Sequence, residues 1–180
     1  MCKYAMYPYK SHYACFGCRK TFKRRRLWDI NRDDKRAVEA RCPQCSGLMA
    51  NMGMDFASPK KDDRKAWEHI QTLYTAGITF HSCGCTGPGY IPATKERLIA
   101  YFRELIDGYH HELGFWRQRT EPTNEQERNR ENSKHWDFIR KVPRGTRPGR
   151  EPVTNEEARQ YWLGRIAEAE QKIKHLVPDT

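Results

Sequence analysis

Two Cys-x-x-Cys pairs constrain this chain more than any other feature of its sequence. The first pair is Cys15 and Cys18, and the second is Cys42 and Cys45. Each pair makes a tight turn that can direct two thiolates at one metal ion, and two such turns complete a closed tetrahedral shell. Four thiolates favour zinc, and a closed shell leaves no position for an activated water. The pairs therefore predict one structural zinc ion, and we assign no catalytic residue.

The cysteine content also bears on the cellular compartment. The chain has 180 residues and seven cysteines, and neither a secretory segment nor a stretch of transmembrane length is evident. We therefore expect a cytoplasmic protein without a membrane partner, in which paired cysteines bind metal or act in redox chemistry. A thioredoxin-like redox motif would open a helix in a βαβ unit, and the sequence gives no sign of one.

The residues around both pairs resemble a known superfamily. Residues 13–20 (YACFGCRK) resemble the first knuckle of the zinc ribbon superfamily, and residues 41–47 (RCPQCSG) resemble the second. The resemblance implies a small zinc-bound unit of short antiparallel strands over about the first third of the chain. Gly47 follows the second pair at a position where a positive φ is often needed. Because zinc ribbons have many functions, the resemblance implies a metal and a fold but no specific activity.

The rest of the chain is predicted to be mainly helical. Apolar residues at helical spacing, together with capping residues, predict helices over 58–76, 94–113 and 155–177. We expect Ser58, Thr94 and Thr154 to cap them, with Gly77 and Gly114 ending the first two. The fold class is thus α+β, a zinc ribbon followed by helices. We divide the chain into four segments. These are a zinc ribbon (residues 1–57), a helix-loop-helix region with a Gly/Pro loop (58–115), a polar basic helix with a linker (116–150) and a C-terminal helix (151–180).

The predicted C-terminal helix carries a narrow apolar seam. Its members recur at spacings of three and four, as helix-packing positions do, and are Trp162, Ile166, Ala169, Ile173 and Leu176. Such a seam packs on a helix of the same chain or of a partner. One alternative function is therefore a protein-interaction adaptor that docks through residues 155–177.

Positive charge is concentrated in two places. The net charge is +10, with 13 basic against 5 acidic residues in 1–60 and 10 against 5 in 116–150. This distribution indicates non-enzymatic binding of RNA, DNA or a ribonucleoprotein through phosphate contacts. The simpler explanation is that these charges form a solvated face. One cluster, however, directly follows the first cysteine pair, and this position favours a role in binding. The candidate contacts are Arg19, Lys20, Lys23, Arg24, Arg25 and Arg26, with Arg140, Lys141, Arg144 and Arg147 in the second cluster.

A second cysteine-containing stretch lies in the Gly/Pro loop. His81, Cys83 and Cys85 could hold a second metal ion, but a complete shell needs one or two further ligands from distant parts of the chain. Two other interpretations stay open for this loop. It could be the site of an enzyme, or its cysteines could simply be buried thiols.

Overall fold

The computed structural model describes residues 10–25, 39–81, 89–143 and 153–177. Within these ranges the chain is α+β, as predicted, with an antiparallel sheet followed by helices. The chain divides into two compact units, residues 1–98 and 99–180. The strands are β1 (Lys10–Cys15), β2 (Lys20–Arg25) and β3 (Ala50–Gly53), and the helices are α1 (Arg64–Thr75), α2 (Lys95–Gln118), α3 (Glu125–Lys134), α4 (Trp136–Ile139) and α5 (Asn155–Leu176). The finer division into four segments stays a prediction.

The sheet of the first unit has the order β2-β1-β3. Strand β1 pairs with β2 over its whole length, and with β3 through a bulge between His12 and Tyr13. One face of the sheet is buried against α1, where Ala14 and Met52 meet Trp67. The residues before the Gly/Pro loop, Ile78 to Phe80, suggest a short β segment, but residues 78–81 are not a strand. Instead, Phe80 donates one backbone hydrogen bond to Met52 and accepts another from Asp55.

Helix α1 begins later than predicted and ends where predicted. Its N-cap is Asp63, whose carboxylate accepts a hydrogen bond from the Ala66 N–H, so the expected start at Ser58 is wrong. The Asp63 N–H is already bonded to the Lys60 carbonyl in a turn, and this turn precedes the helix. At the other end, Gly77 takes a φ of 84°. The N–H groups of Gly77 and Ile78 donate hydrogen bonds to carbonyls of the last helical turn.

Helix α2 continues past its predicted end. Thr94 caps it as expected, since its hydroxyl accepts a hydrogen bond from the Arg97 N–H. The helix runs through Gly114 to Gln118, so the predicted end at Gly114 is wrong. A glycine inside a helix costs about 1 kcal/mol relative to alanine. Burying Trp116 in the extended part of the helix contributes more than that, because a large aromatic side chain buries a wide apolar area.

The second unit is built around the seam of α5. Thr154 and Glu157 form the predicted capping box at its start. Trp162 and Ile166 are buried against Leu113 and Trp116 of α2, and Val142 joins the same cluster. Trp162 and Ile166 of the predicted seam therefore pack on helix α2 of the same chain. Val142 falls within the predicted linker, yet it is a core residue.

A buried polar contact fixes the start of α5 in the second unit. The Arg119 guanidinium donates to the Asn155 side-chain oxygen at 2.8 Å, and the Asn155 amide donates to the Arg119 carbonyl at 2.6 Å. The Asn155 backbone N–H is bonded to the Glu121 carboxylate. Because these hydrogen bonds satisfy the Asn155 side chain, it can be buried at little cost.

Gly53 is the tightest position of the first unit. It has a φ of 93°, and an added Cβ would lie 2.5 Å from the Phe80 carbonyl oxygen. We expect Gly53→Ala to lower the free energy of unfolding by about 1–3 kcal/mol or more, measured by urea denaturation. Gly89→Ala is the matched control, because Gly89 has a φ of 79° and no atom of the described residues lies within 4 Å of its added Cβ. Equal losses in the two variants would contradict the role of the close contact.

The α5 seam gives a second stability prediction. Trp162 is buried, whereas the adjacent Leu163 is 42% exposed. We expect Trp162→Ala to cost about 3–5 kcal/mol through the cavity it leaves. The control Leu163→Ala should stay within about 0.5 kcal/mol. Thermal unfolding followed by circular dichroism measures both, and a small loss in Trp162→Ala would show that the seam is not core.

Candidate metal centre and adjoining basic strand

Two turns bring the four predicted cysteines together. Cys15 ends β1, and Cys18 lies in the turn between β1 and β2. Cys42 and Cys45 lie in a second turn. All four sulfur atoms lie within 4.8 Å of one another. The Cys15 and Cys45 sulfurs are 3.6 Å apart, and those of Cys18 and Cys42 are 3.9 Å apart. The four cysteines could therefore hold one metal ion.

The local backbone explains how each pair is held. The residue after the second cysteine of each pair is in the left-handed region, with a φ of 49° at Arg19 and 57° at Ser46. The expectation that Gly47 would supply the positive φ is therefore wrong by one residue. Hydrogen bonds of 2.8 Å link the Cys42 N–H to Gly47 and the Ser46 N–H to Cys42. The two turns are thus similar in backbone geometry, although they lie on different parts of the chain.

The thiols differ in how readily they ionise. Contact with the Cys45 sulfur, together with burial, raises the pKa of Cys18 to about 12. Burial also raises the pKa of Cys15. Burial opposes ionisation of Cys42 too, but the backbone N–H groups of Gln44 and Cys45 outweigh it and lower the Cys42 pKa to about 7. A bound cation would favour the thiolate form of all four, because opposite charge stabilises the ionised group.

Most of the first basic cluster lies on β2, at the edge of the sheet. Lys20 and Lys23 are exposed. The Arg24 guanidinium donates to the Arg41 carbonyl at 2.8 Å, and Arg19 donates to the Lys61 carbonyl at 2.9 Å. Both arginines therefore contact backbone of the first unit as well as contributing charge. The side chain of Arg25, and Arg26 as a whole, lie outside the described residues.

The second basic cluster is described only in part. Arg140 forms an ion pair with Asp137 at 3.2 Å, and Lys141 forms one with the buried Glu112 at 2.5 Å. Both charges are thus at least partly neutralised within the second unit. Arg144 and Arg147 lie outside the described residues.

The predicted second metal site is not tested by the structure. His81 is exposed, and it is the last residue of the described range 39–81. Cys83 and Cys85 lie outside the described residues. The second metal therefore stays a prediction.

Sequence reasoning missed one feature beside the cysteines. A cavity of about 430 Å³ lies between the first and second cysteine turns and α1, and we call it the knuckle groove. In the sequence its apolar residues resemble ordinary core residues, but Leu48 and Tyr74 are exposed at 62% and 37%. The groove is lined by Phe16, Glu39, Ala40, Leu48, Met49, Ala50 and Tyr74.

The cysteine cluster and the small antiparallel sheet are together compatible with a zinc ribbon. No protein-family model, curated protein or solved structure matches the chain. Among the described helices, none combines the length and apolar character that crossing a membrane requires.

The cluster predicts a specific loss of metal. We expect Cys42→Ser to release one bound metal ion per chain and to destabilise the first unit, because three thiolates no longer close the shell. Native mass spectrometry of the purified protein gives the metal count directly. Cys83→Ser is the control and should leave that ion in place. Retention of all metal by Cys42→Ser would contradict the assignment.

Proposed function

We propose that this protein is a zinc-binding protein whose zinc ribbon presents a basic strand to nucleic acid. The observation that carries the zinc part is the spacing of the sulfurs. A tetrahedron with zinc–sulfur bonds of about 2.3 Å has edges of about 3.8 Å. Two of the four cross-turn sulfur separations are 3.6 and 3.9 Å, and all four sulfurs lie within 4.8 Å of one another. Cys15, Cys18, Cys42 and Cys45 therefore fit a tetrathiolate zinc ion.

The zinc ion has a structural role in this proposal. Four protein thiolates complete its coordination, so it supplies rigidity and holds two separate turns together. The apolar cluster at these turns is small, and Cys15 and Cys42 themselves belong to it together with Met49. The metal substitutes for a larger core in this part of the chain.

The position of β2 favours nucleic acid as the partner. Strand β2 leaves the first cysteine turn directly and forms an edge of the sheet, with Lys20 and Lys23 exposed along it. Charged residues on an edge strand also prevent it from pairing with strands of other molecules, but one or two lysines are enough for that need. The excess of 13 basic over 5 acidic residues in 1–60 exceeds that need. This arrangement suits contacts to the phosphate backbone, and it does not require a helix that recognises bases.

The two alternative functions have less support. The adaptor hypothesis depends on the α5 seam, and Trp162 and Ile166 of that seam are already buried against α2. The enzyme hypothesis depends on a loop whose two cysteines lie outside the described residues. The choice between RNA, DNA and a ribonucleoprotein, and the cytoplasmic location, stay expectations from the sequence.

A charge-reversal experiment tests the phosphate contacts. In the double variant Lys20→Glu, Lys23→Glu, we expect weaker binding to single-stranded oligonucleotides at low salt. If both lysines contact phosphate, the slope of log affinity against log salt should fall by about 1.4, at about 0.7 per contact. Fluorescence anisotropy over a salt series measures both quantities.

The matched control for that experiment reverses two charges elsewhere. Lys95 and Arg97 are exposed in the first turn of α2, where acidic residues are favourable to the helix. Lys95→Glu, Arg97→Glu changes the net charge by the same amount, and it should keep the wild-type slope. Equal slopes in all three proteins, or no binding by the wild type at low salt, would overturn the nucleic-acid proposal.

A further inference from the structure

The knuckle groove has the size and composition of a ligand site. Its volume of about 430 Å³ is within the range of roughly 300–1,000 Å³ that small-molecule sites occupy. Aromatic and aliphatic side chains form its walls. The Phe16 and Tyr74 rings are 5.9 Å apart, and Leu48 and Met49 also line the groove. Leu48 is 62% exposed and Tyr74 is 37% exposed, so the groove opens to solvent at apolar side chains.

A charged pair stands at one edge of this apolar groove. Glu39 lines the groove, and its carboxylate accepts a hydrogen bond from Arg41 at 2.9 Å. Both side chains are largely exposed, at 59% and 61%. An exposed pair of this kind contributes little stability, so its groups can exchange partners with a ligand. A flat ligand with apolar faces and a polar edge that carries donors and acceptors would match both the walls and the pair.

The groove is continuous with the basic strand β2. The Arg24 guanidinium of β2 donates to the Arg41 carbonyl at 2.8 Å, and Arg41 pairs with Leu48 in an isolated β-bridge. Arg24 therefore places a positive charge beside Arg41, whose own charge is paired with Glu39. A strand of nucleic acid whose phosphates follow β2 would carry its bases to the groove.

We propose that the knuckle groove takes one unpaired base of a single-stranded nucleic acid bound along β2. This inference rests on the proposed function and specifies it further. A base in a duplex is stacked and paired, whereas an unpaired base can be splayed out onto aromatic side chains. Tyr74 offers a stacking surface, and the pair of Glu39 and Arg41 offers an acceptor and donors to the polar edge of the base. The neighbouring basic strand β2, whose Arg24 is hydrogen-bonded to the Arg41 carbonyl, favours this occupant over an apolar side chain of a protein partner.

The test compares two oligonucleotides of equal length and charge. One is a single strand of about 12 nucleotides, within the range of site sizes that such proteins cover. The other has the same phosphates with abasic sugars. We expect the wild type to bind the base-bearing strand about 5- to 150-fold more tightly, the range typical of stacking on one aromatic residue. A duplex with the same number of phosphates should bind less tightly than the base-bearing strand.

Variants locate the effect in the groove. Tyr74→Ala should lose about 5- to 150-fold in affinity for the base-bearing strand and keep its affinity for the abasic strand. Its salt slope should be that of the wild type, because no phosphate contact is removed. Leu48→Ala provides a second variant at an exposed position, with a loss in the same direction. Tyr90→Ala, at a 60% exposed tyrosine outside the groove lining, should behave like the wild type.

The outcomes separate this inference from the proposed function. Equal affinity of the wild type for base-bearing and abasic strands would overturn the base site and leave the phosphate contacts standing. The base site is also overturned if Tyr74→Ala, with its metal content intact, binds both strands like the wild type. The groove would then be assigned to a protein side chain. Failure to bind either strand at low salt would overturn the proposed function, and with it this inference.

Discussion

The convergence of four cysteine sulfurs is the constraint on which the first unit depends. The sulfurs come from two turns separated by more than twenty residues, and all lie within 4.8 Å of one another. Burial and mutual contact raise the pKa values of Cys15 and Cys18, so these two thiols resist ionisation without a cation, whereas backbone N–H groups lower the pKa of Cys42. A bound dication reverses that balance. Binding of the metal and folding of these turns are therefore coupled.

The two units are stabilised by different interactions. In the first, the sheet packs on α1 through a modest apolar cluster that includes Met52 and Trp67. In the second, Trp116 and Trp162 join two helices, and the contact between Arg119 and Asn155 fixes where the last helix starts. Large aromatic side chains supply much of the burial in the second unit, and its described residues contain no cluster of metal-ligating side chains. Metal removal should accordingly affect mainly the sheet and its turns.

The candidate site was predicted in part. The four cysteines follow from the spacing of their pairs, because a Cys-x-x-Cys turn is a local structure that directs its own thiolates. The contact between Arg24 and the Arg41 carbonyl does not follow from any local pattern, since it joins β2 to the edge of the second cysteine turn. The exposure of Leu48 is equally invisible in the sequence, where an aliphatic residue beside a cysteine turn reads as core.

The sequence by itself determined the α+β class, the convergence of the cysteines, and the caps at Thr94 and Thr154. Each Cys-x-x-Cys pair and each cap depends on residues only a few positions apart, so local chemistry specifies it, and the two pairs converge because one metal ion needs four ligands. Tertiary structure alone decided the rest. Helix α2 passes Gly114 because burial of Trp116 outweighs the glycine penalty, and the α5 seam is covered by this chain because α2 presents a complementary face. Such outcomes depend on long-range packing, which no local pattern encodes.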